Sequence, residues 1–387
     1  MHIITAPDSF KGSLTASEVA TAMATGIKRV FPKAKIDKIP IADGGEGTVE
    51  ALITATKGKF IETIVENPLG KPVKALWGIL GDGSTAVIEM ATASGLLLIA
   101  EKDRNVRLAS TYGTGQLIKA ALDQGADRII IGIGGSATND GGAGMASALG
   151  IRFFDSANQL LAKGGAALAK LDHIDMQKLD SRLIHTEILI ASDVNNPLCG
   201  EKGASAVYGP QKGATPAIVK ELDAVLAHYN EIAKRDVGID VNSMPGSGAA
   251  GGLGAGLILF TSGKMKNGIE LILTALHFDN LIKDADLIIT GEGHTDFQTA
   301  HGKAPVGIAQ CAKKYSIPVI CLSGALGKGA EEVLQQGISA IASAASSPMT
   351  LENCMKNAKT LLEDATERTC RLLQVGMQLK NNMIQRL

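Results

Sequence analysis

Both ends of this 387-residue chain alternate short apolar runs with amphipathic stretches, and that rhythm restricts the fold more than any other feature. His2–Ala6 is an apolar run broken by Pro7. Thr15 and Glu18 then make a T-x-x-E capping pattern, which opens an amphipathic helix through Ala20, Met23, Ile27 and Val30. Residues 35–42 read as a second strand and Thr48–Thr56 as a second helix ending at Gly58. Toward the other end, residues 285–290, 317–322 and 338–344 read as strands, residues 305–314 as a helix, and a long helix starts at Leu351. Strands alternating with helices predict a parallel sheet.

The middle has another texture. From Glu62 to Met90, polar and apolar residues alternate around the turn signals NPLG (Asn67–Gly70) and GDGS (Gly81–Ser84), which predicts antiparallel hairpins. Residues 128–133 and 187–191 read as further strands, each running into a Gly- or Asn-rich loop. The expectation is therefore an α/β protein of two domains, since 387 residues exceed one ordinary core. Residues 1–62 and 285–387 would form a doubly wound, flavodoxin- or Rossmann-like parallel sheet built from both chain ends. Residues 63–284 would form an inserted mixed α+β domain. Two consecutive domains meeting near residue 240 are the alternative, weakened because two βα units alone make a poor sheet. A crevice between such domains is the expected place for a ligand.

The 45 glycines stand well above the usual share of about 7%. They cluster in loops that follow strands and precede helices: APDSFKGS (Ala6–Ser13), ADGGEGT (Ala42–Thr48), GIGGSATNDGGAG (Gly132–Gly144) and TGEGHTDFQTAHGK (Thr290–Lys303). Glycine lets backbone N–H groups approach an anion, and the following helix N-terminus adds positive potential. One such loop is as readily a plain turn; four in one chain point to phosphate. Asp8, Asp43, Asp140, Asp193 and Asp296 each fall at or just past a strand end, where α/β sites gather. Transfer of a phosphoryl group needs one carboxylate to hold Mg²⁺ and another to accept the acceptor's proton, although any single Asp can equally be a turn or cap residue. Lys11 and Lys303 sit in glycine-flanked loops and are the matching cations.

Other chemistries find little support. The chain has no G-x-x-x-x-G-K-[ST] loop, no protein-kinase H-R-D or D-F-G signature and no G-x-S-x-G elbow. Gly248–Gly256 (GAAGGLGAG) comes nearest to a dinucleotide fingerprint, but VNSMPGS before it is no strand, so it reads better as a nucleotide or interdomain loop. His294 and His301 lie seven apart in a loop and read as ordinary hydrogen-bonding histidines rather than metal ligands. The five scattered cysteines suggest neither disulfides nor zinc. A net charge of −1 argues against a nucleic-acid partner. The first residues lack the basic and apolar regions of a signal peptide, and no uncharged run reaches the roughly 18 residues of a membrane span, so the expectation is a cytoplasmic protein with no membrane partner. The oligomeric state is left open.

APDSFKGSLTA, IADGGEGT (Ile41–Thr48), GIGGSATNDGG (Gly132–Gly142), SDVNNPLCG (Ser192–Gly200), YGPQKGA (Tyr208–Ala214), PGSGAAGGLG (Pro245–Gly254) and GEG-x-x-D-x-Q-T (Gly291–Thr299) follow one another along the chain. In content and order this series resembles the type 1 glycerate kinases. The resemblance implies transfer of the γ-phosphoryl of ATP, with Mg²⁺, to D-glycerate, at the 2-hydroxyl with the 3-hydroxyl as the alternative, in an interdomain cleft. Carried onto these positions, it implies Asp193 and Asp296 as proton acceptor and metal holder in an order left open, with Lys11 beside them. Asp8, Ser9, Asp43, Ser136, Asn139, Asp140 and Lys303 would meet phosphate or glycerate, and Asn195, Asn196 and Gln298 would orient hydroxyls. Gly134, Gly135, Gly251, Gly252, Gly291 and Gly293 would shape nucleotide loops. HTDF at His294–Phe297 departs from the Arg-Ile-Asp of many relatives, which puts substrate affinity in question while Asp296 and Gln298 are retained. A kinase for another small sugar acid, or a non-catalytic sugar-acid or nucleotide sensor, are the rival readings.

Overall fold

A computed structural model describes residues Met1–Gln385, which divide into two compact units: Met1–Asp43 with the residues from Ile269 onward, and Gly44–Gly268. The first unit carries a five-stranded, wholly parallel sheet. Its strands are His2–Thr5, Lys35–Lys38, Leu287–Thr290, Val319–Ser323 and Ala340–Ser343. Taken in chain order, they lie side by side as 2-1-3-4-5, the flavodoxin-like order. The central strands are continuous apolar runs because helices cover both faces of such a sheet. Ile3, Ile289 and Leu322 pack there with Val19, Met23 and Ile27 of the helix Ala16–Val30 and with Leu362 and Ala365 of the helix Ala358–Gln385.

The first of those helices begins as its sequence predicts. Thr15 Oγ1 accepts from the Glu18 amide at 3.3 Å, and Glu18 Oε2 accepts from the Thr15 amide at 2.9 Å. Its Gly26 lets the long C-terminal helix approach: a Cβ there would stand 2.4 Å from the Glu363 carbonyl oxygen. That long helix does not start at Leu351, because Leu351–Lys356 forms a separate short helix ending at Asn357.

The second unit holds a mixed six-stranded sheet. Lys264–Lys266, Glu187–Ala191, Arg128–Gly132 and Thr85–Glu89 run parallel, and Pro72–Ile79 and Lys59–Glu66 extend it antiparallel. The NPLG turn closes the hairpin through Gly70 N to Asn67 O at 2.9 Å. The helix Thr48–Thr56 has the ends its sequence predicts and packs on Pro72–Ile79 and Thr85–Glu89, so it belongs to this unit and not with the strand before it. The division thus falls at residues 43/44 and 268/269, where the sequence placed it at 62/63 and 284/285. Gly248–Gly256 also differs from its reading as a loop. Ala250, Gly251 and Gly252 are left-handed, at φ +54°, +70° and +86°, and from Leu253 the chain runs as a buried helix to Thr261.

Candidate active site

In a parallel sheet of this order, the loops after the first and third strands diverge to opposite faces and leave a crevice at the carboxyl ends of the strands. In the first unit those loops are Ala6–Ser13 and Gly291–Lys303. They are tied together by Asp8 N donating to Gly291 O at 2.8 Å and Thr290 Oγ1 donating to Ala6 O at 2.7 Å. A cavity of about 590 Å³ lies there. Its lining brings together Asp8, Ser9, Lys11, Asp43, Gly293, Asp296, Gln298 and Lys303, all singled out in the sequence, and adds Glu292 and His294. Gly291 is buried beside it, held against Leu322, whose carbonyl oxygen would lie 1.8 Å from a Cβ at that position.

The acids in this cavity are held in place. Asp8 is buried, and its Oδ1 accepts from the Ser9 amide at 2.6 Å. Burial foremost, then the neighbouring Asp43 charge, pushes its pKa up to about 7, against the opposing pull of the Ser9 amide and Lys11. Glu292 is buried as well, and its Oε1 accepts from Thr299 Oγ1 at 2.6 Å and Thr295 Oγ1 at 2.9 Å. Burial raises its pKa, while Thr299 and Lys303 act in the other direction. Asp296 is half-buried; its Oδ1 accepts from the Gln298 amide at 2.9 Å, and its own amide donates to Thr299 Oγ1 at 3.2 Å. One threonine thus links both acids. Lys11 and Gln298 are exposed and Lys303 is half-buried. His294 Nε2 stands 3.8 Å from Asp296 Oδ2, and His301 hydrogen-bonds the Phe297 carbonyl, so both histidines serve this loop.

The remaining sequence-predicted residues belong to the second unit, and none lines this cavity. Asp193 is exposed at the end of Glu187–Ala191, with Oδ1 accepting from Gly268 N at 2.9 Å and Asn267 Nδ2 at 3.1 Å. Asn195 is exposed nearby, and Asn196 donates to Lys202 O and accepts from the Tyr208 hydroxyl. Asp140 has no exposed surface and accepts from Thr111 N and Oγ1, Gly142 N and Gly144 N, a structural anchor for its own loop. Asn139 is fully buried and donates to Ser205. Gly251 and Gly252 pack on this loop: Cβ atoms there would meet Thr138 O at 1.9 Å and Gly141 Cα at 2.7 Å. Gly134 and Gly135 are exposed ahead of it.

Sequence reasoning passed over Lys212, which the fold buries; its Nζ donates to Ser136 Oγ and Thr138 O, both at 2.7 Å. Burial lowers its pKa to about 7, and the Asp140 charge opposes this. Its only trace in the sequence was a lysine beside glycine in YGPQKGA. Glu292 was likewise legible only as the centre of GEG.

Glu89 also escaped notice, and it bears on the ADGGEGT loop. Its Oε1 accepts from the Val49 amide at 2.8 Å, with Gly47 and Thr48 amides also bonded to the carboxylate. The first turn of Thr48–Thr56 is therefore already occupied by a carboxyl group of the protein. Burial raises Glu89 to about 7. A raised carboxyl contributes stability that is complete below its unfolded value of 4.5 and is lost as pH rises through about 7. Glu89→Gln removes this titration. Its melting temperature relative to the parent is expected to gain several degrees between pH 4.5 and 7.5, on the order of 3 kcal/mol at most. A difference constant with pH would contradict the burial argument.

Among the described residues no three His, Cys, Asp or Glu side chains converge as a ready metal site, and no helix is long and apolar enough to cross a membrane. Mg²⁺ in phosphoryl transfer ordinarily takes only one or two carboxylates and completes its shell with phosphate and water. The cavity fits that demand: Asp8, Asp43, Glu292 and Asp296 line it together with Lys11 and Lys303, and burial disfavours charge on Asp8 and Glu292. All five cysteines are free thiols.

The chain is 52% identical over 373 residues to the glycerate kinase of Haemophilus influenzae, covering 96% of this chain and 99% of that one. It is 48% identical over 378 residues to the glycerate 2-kinase of Escherichia coli K12, covering 98% and 99%. A crystal structure described as glycerate kinase 2 of Salmonella typhimurium LT2 superposes with a TM-score of 0.87 at 46% identity, covering 98% of this chain and all of that one. The glycerate kinase family model matches residues 3–374. The chain is a kinase and belongs to the glycerate kinase family.

Proposed function

We propose that this protein transfers the γ-phosphoryl group of ATP to the 2-hydroxyl of D-glycerate, giving 2-phosphoglycerate and ADP. The observation that carries the reading is the convergence of Asp8, Lys11, Asp43, Asp296 and Lys303 on one cavity at the switch point of a parallel sheet. The name of the Escherichia coli relative supports the 2-position. In the reaction, the acceptor hydroxyl oxygen forms a bond to the γ-phosphorus, the bond from that phosphorus to the ADP oxygen breaks, and the hydroxyl proton passes to a carboxylate. Asp296, the half-buried acid of the cavity, serves as proton acceptor or as Mg²⁺ holder. Lys11 and Lys303 offer charge to the phosphates and to the substrate carboxylate. Mg²⁺, when bound, neutralises charge on the transferring group.

The test is ADP release measured with D-glycerate, L-glycerate, tartronate and glycolate in parallel. D-glycerate is expected to give the highest kcat/KM by at least tenfold. A better turnover with another hydroxy acid would reassign the substrate, and no ADP release with any of them would favour a binding protein.

A further inference from the structure

The cavity has two chemically different ends. Apart from Asp43, which follows the second strand, the acids and lysines sit on loops after the first and third strands. From there the cavity follows the carboxyl edge of the sheet: Gly324 and Ala325 follow the fourth strand, and Ala344 and Ala345 the fifth. Its far end is lined by Leu351, which is largely exposed, and by Cys354, Met355, Ala358 and Leu361, from the short helix and the first turn of the long one, with Met355 Cε also bordering Gly12 of the loop after the first strand. Side chains are minimal at the middle, where Gly324 N donates to Glu292 O at 3.0 Å and a Cβ on Gly324 would come within 2.6 Å of Gly293 O. A three-carbon hydroxy acid, oxygenated at every carbon, has no surface to bury against the far end. It would also occupy a small part of about 590 Å³, a volume typical of sites for much larger ligands. A nucleotide has the same polarity gradient as the cavity, from a flat apolar ring to charged phosphates.

Resting on the kinase reading above, we infer that the apolar end, formed by Leu351, Cys354, Met355 and Leu361, holds the purine ring of the phosphate donor, with its phosphates directed toward Lys11 and Lys303. The methionine thioether suits a ring face.

Cys354 is half-buried within this lining and reports on occupancy, while Cys199 and Cys311, also half-buried, lie outside it. N-ethylmaleimide labelling of the full chain is followed at each cysteine by peptide mass spectrometry, with Mg-ADP binding measured separately by calorimetry. Saturating Mg-ADP is expected to slow labelling of Cys354 at least fivefold, to leave Cys199 and Cys311 unchanged, and to be unmatched by D-glycerate. Met355→Glu is expected to weaken Mg-ADP binding about tenfold with the KM for D-glycerate changed less than twofold. Calorimetric binding without protection of Cys354, or protection by D-glycerate alone, would overturn this assignment and leave the kinase reading standing. Absence of Mg-ADP binding would overturn both.

Discussion

Asp296→Asn is expected to keep the fold and lose about 10²- to 10⁴-fold in kcat/KM, on the order of 3–5 kcal/mol of transition-state stabilisation. The fold should survive because the Asp296 Oδ1 bond to the Gln298 amide can be kept by an asparagine oxygen. What the substitution removes is the negative charge and the capacity to take a proton. If Asp296 is the proton acceptor, kcat falls and the dependence on Mg²⁺ stays as it was. If it holds the metal, the Mg²⁺ concentration for half-maximal rate rises instead. Turnover near that of the parent in Asp296→Asn would remove this residue from the mechanism. Circular dichroism and melting of the same sample separate loss of chemistry from loss of structure.

Gly251→Val is expected to cost at least about 4 kcal/mol and to leave little soluble protein at 37 °C. The backbone there is left-handed, at φ +70°, where a side chain costs about 1–2 kcal/mol by itself. The larger cost is steric, because a Cβ would lie 1.9 Å from Thr138 O inside a fully buried pair of loops. Gly83→Val is the control. It shares the left-handed conformation, at φ +81°, but has nothing within 4 Å of its Cβ, so it should lose only the conformational part. Equal melting temperatures for the two variants would contradict the argument that close packing governs the Gly248–Gly256 segment.

These two variants also mark what the sequence could and could not disclose. Local signals were legible: the Thr15–Glu18 capping box, the bounds of Thr48–Thr56 and the NPLG hairpin all depend on neighbouring residues, and all are present. The parallel sheet follows from the βα rhythm at the chain ends, while its order, left between flavodoxin- and Rossmann-like by the sequence, is flavodoxin-like. Long-range partners were not legible. Nothing near Thr48 announces that Glu89 closes its helix, and so Thr48–Thr56 was assigned to the wrong neighbours.

The Gly/Asp loops show the same limit at the site. GIGGSATNDGGAG and TGEGHTDFQTAHGK look equivalent as strings, because an Asp that binds its own turn and one that lines a cavity sit in similar surroundings. In the fold, Asp140 is sealed inside by Thr111, Gly142 and Gly144, whereas Asp296 lines the cavity. Lys212 is held by Ser136 and Thr138 and the Glu292 carbonyl accepts from the Gly324 amide, all far away in sequence, which is why the ordered motif series found their segments but not their importance.

The central claim is tested most directly by incubating the protein with ATP, Mg²⁺ and D-glycerate and identifying the product by ³¹P and ¹H NMR. The account predicts stoichiometric ADP and a phosphorus resonance coupled to the proton on carbon 2, the mark of 2-phosphoglycerate. Unchanged D-glycerate would contradict it, and coupling to the carbon 3 protons would contradict the position of transfer.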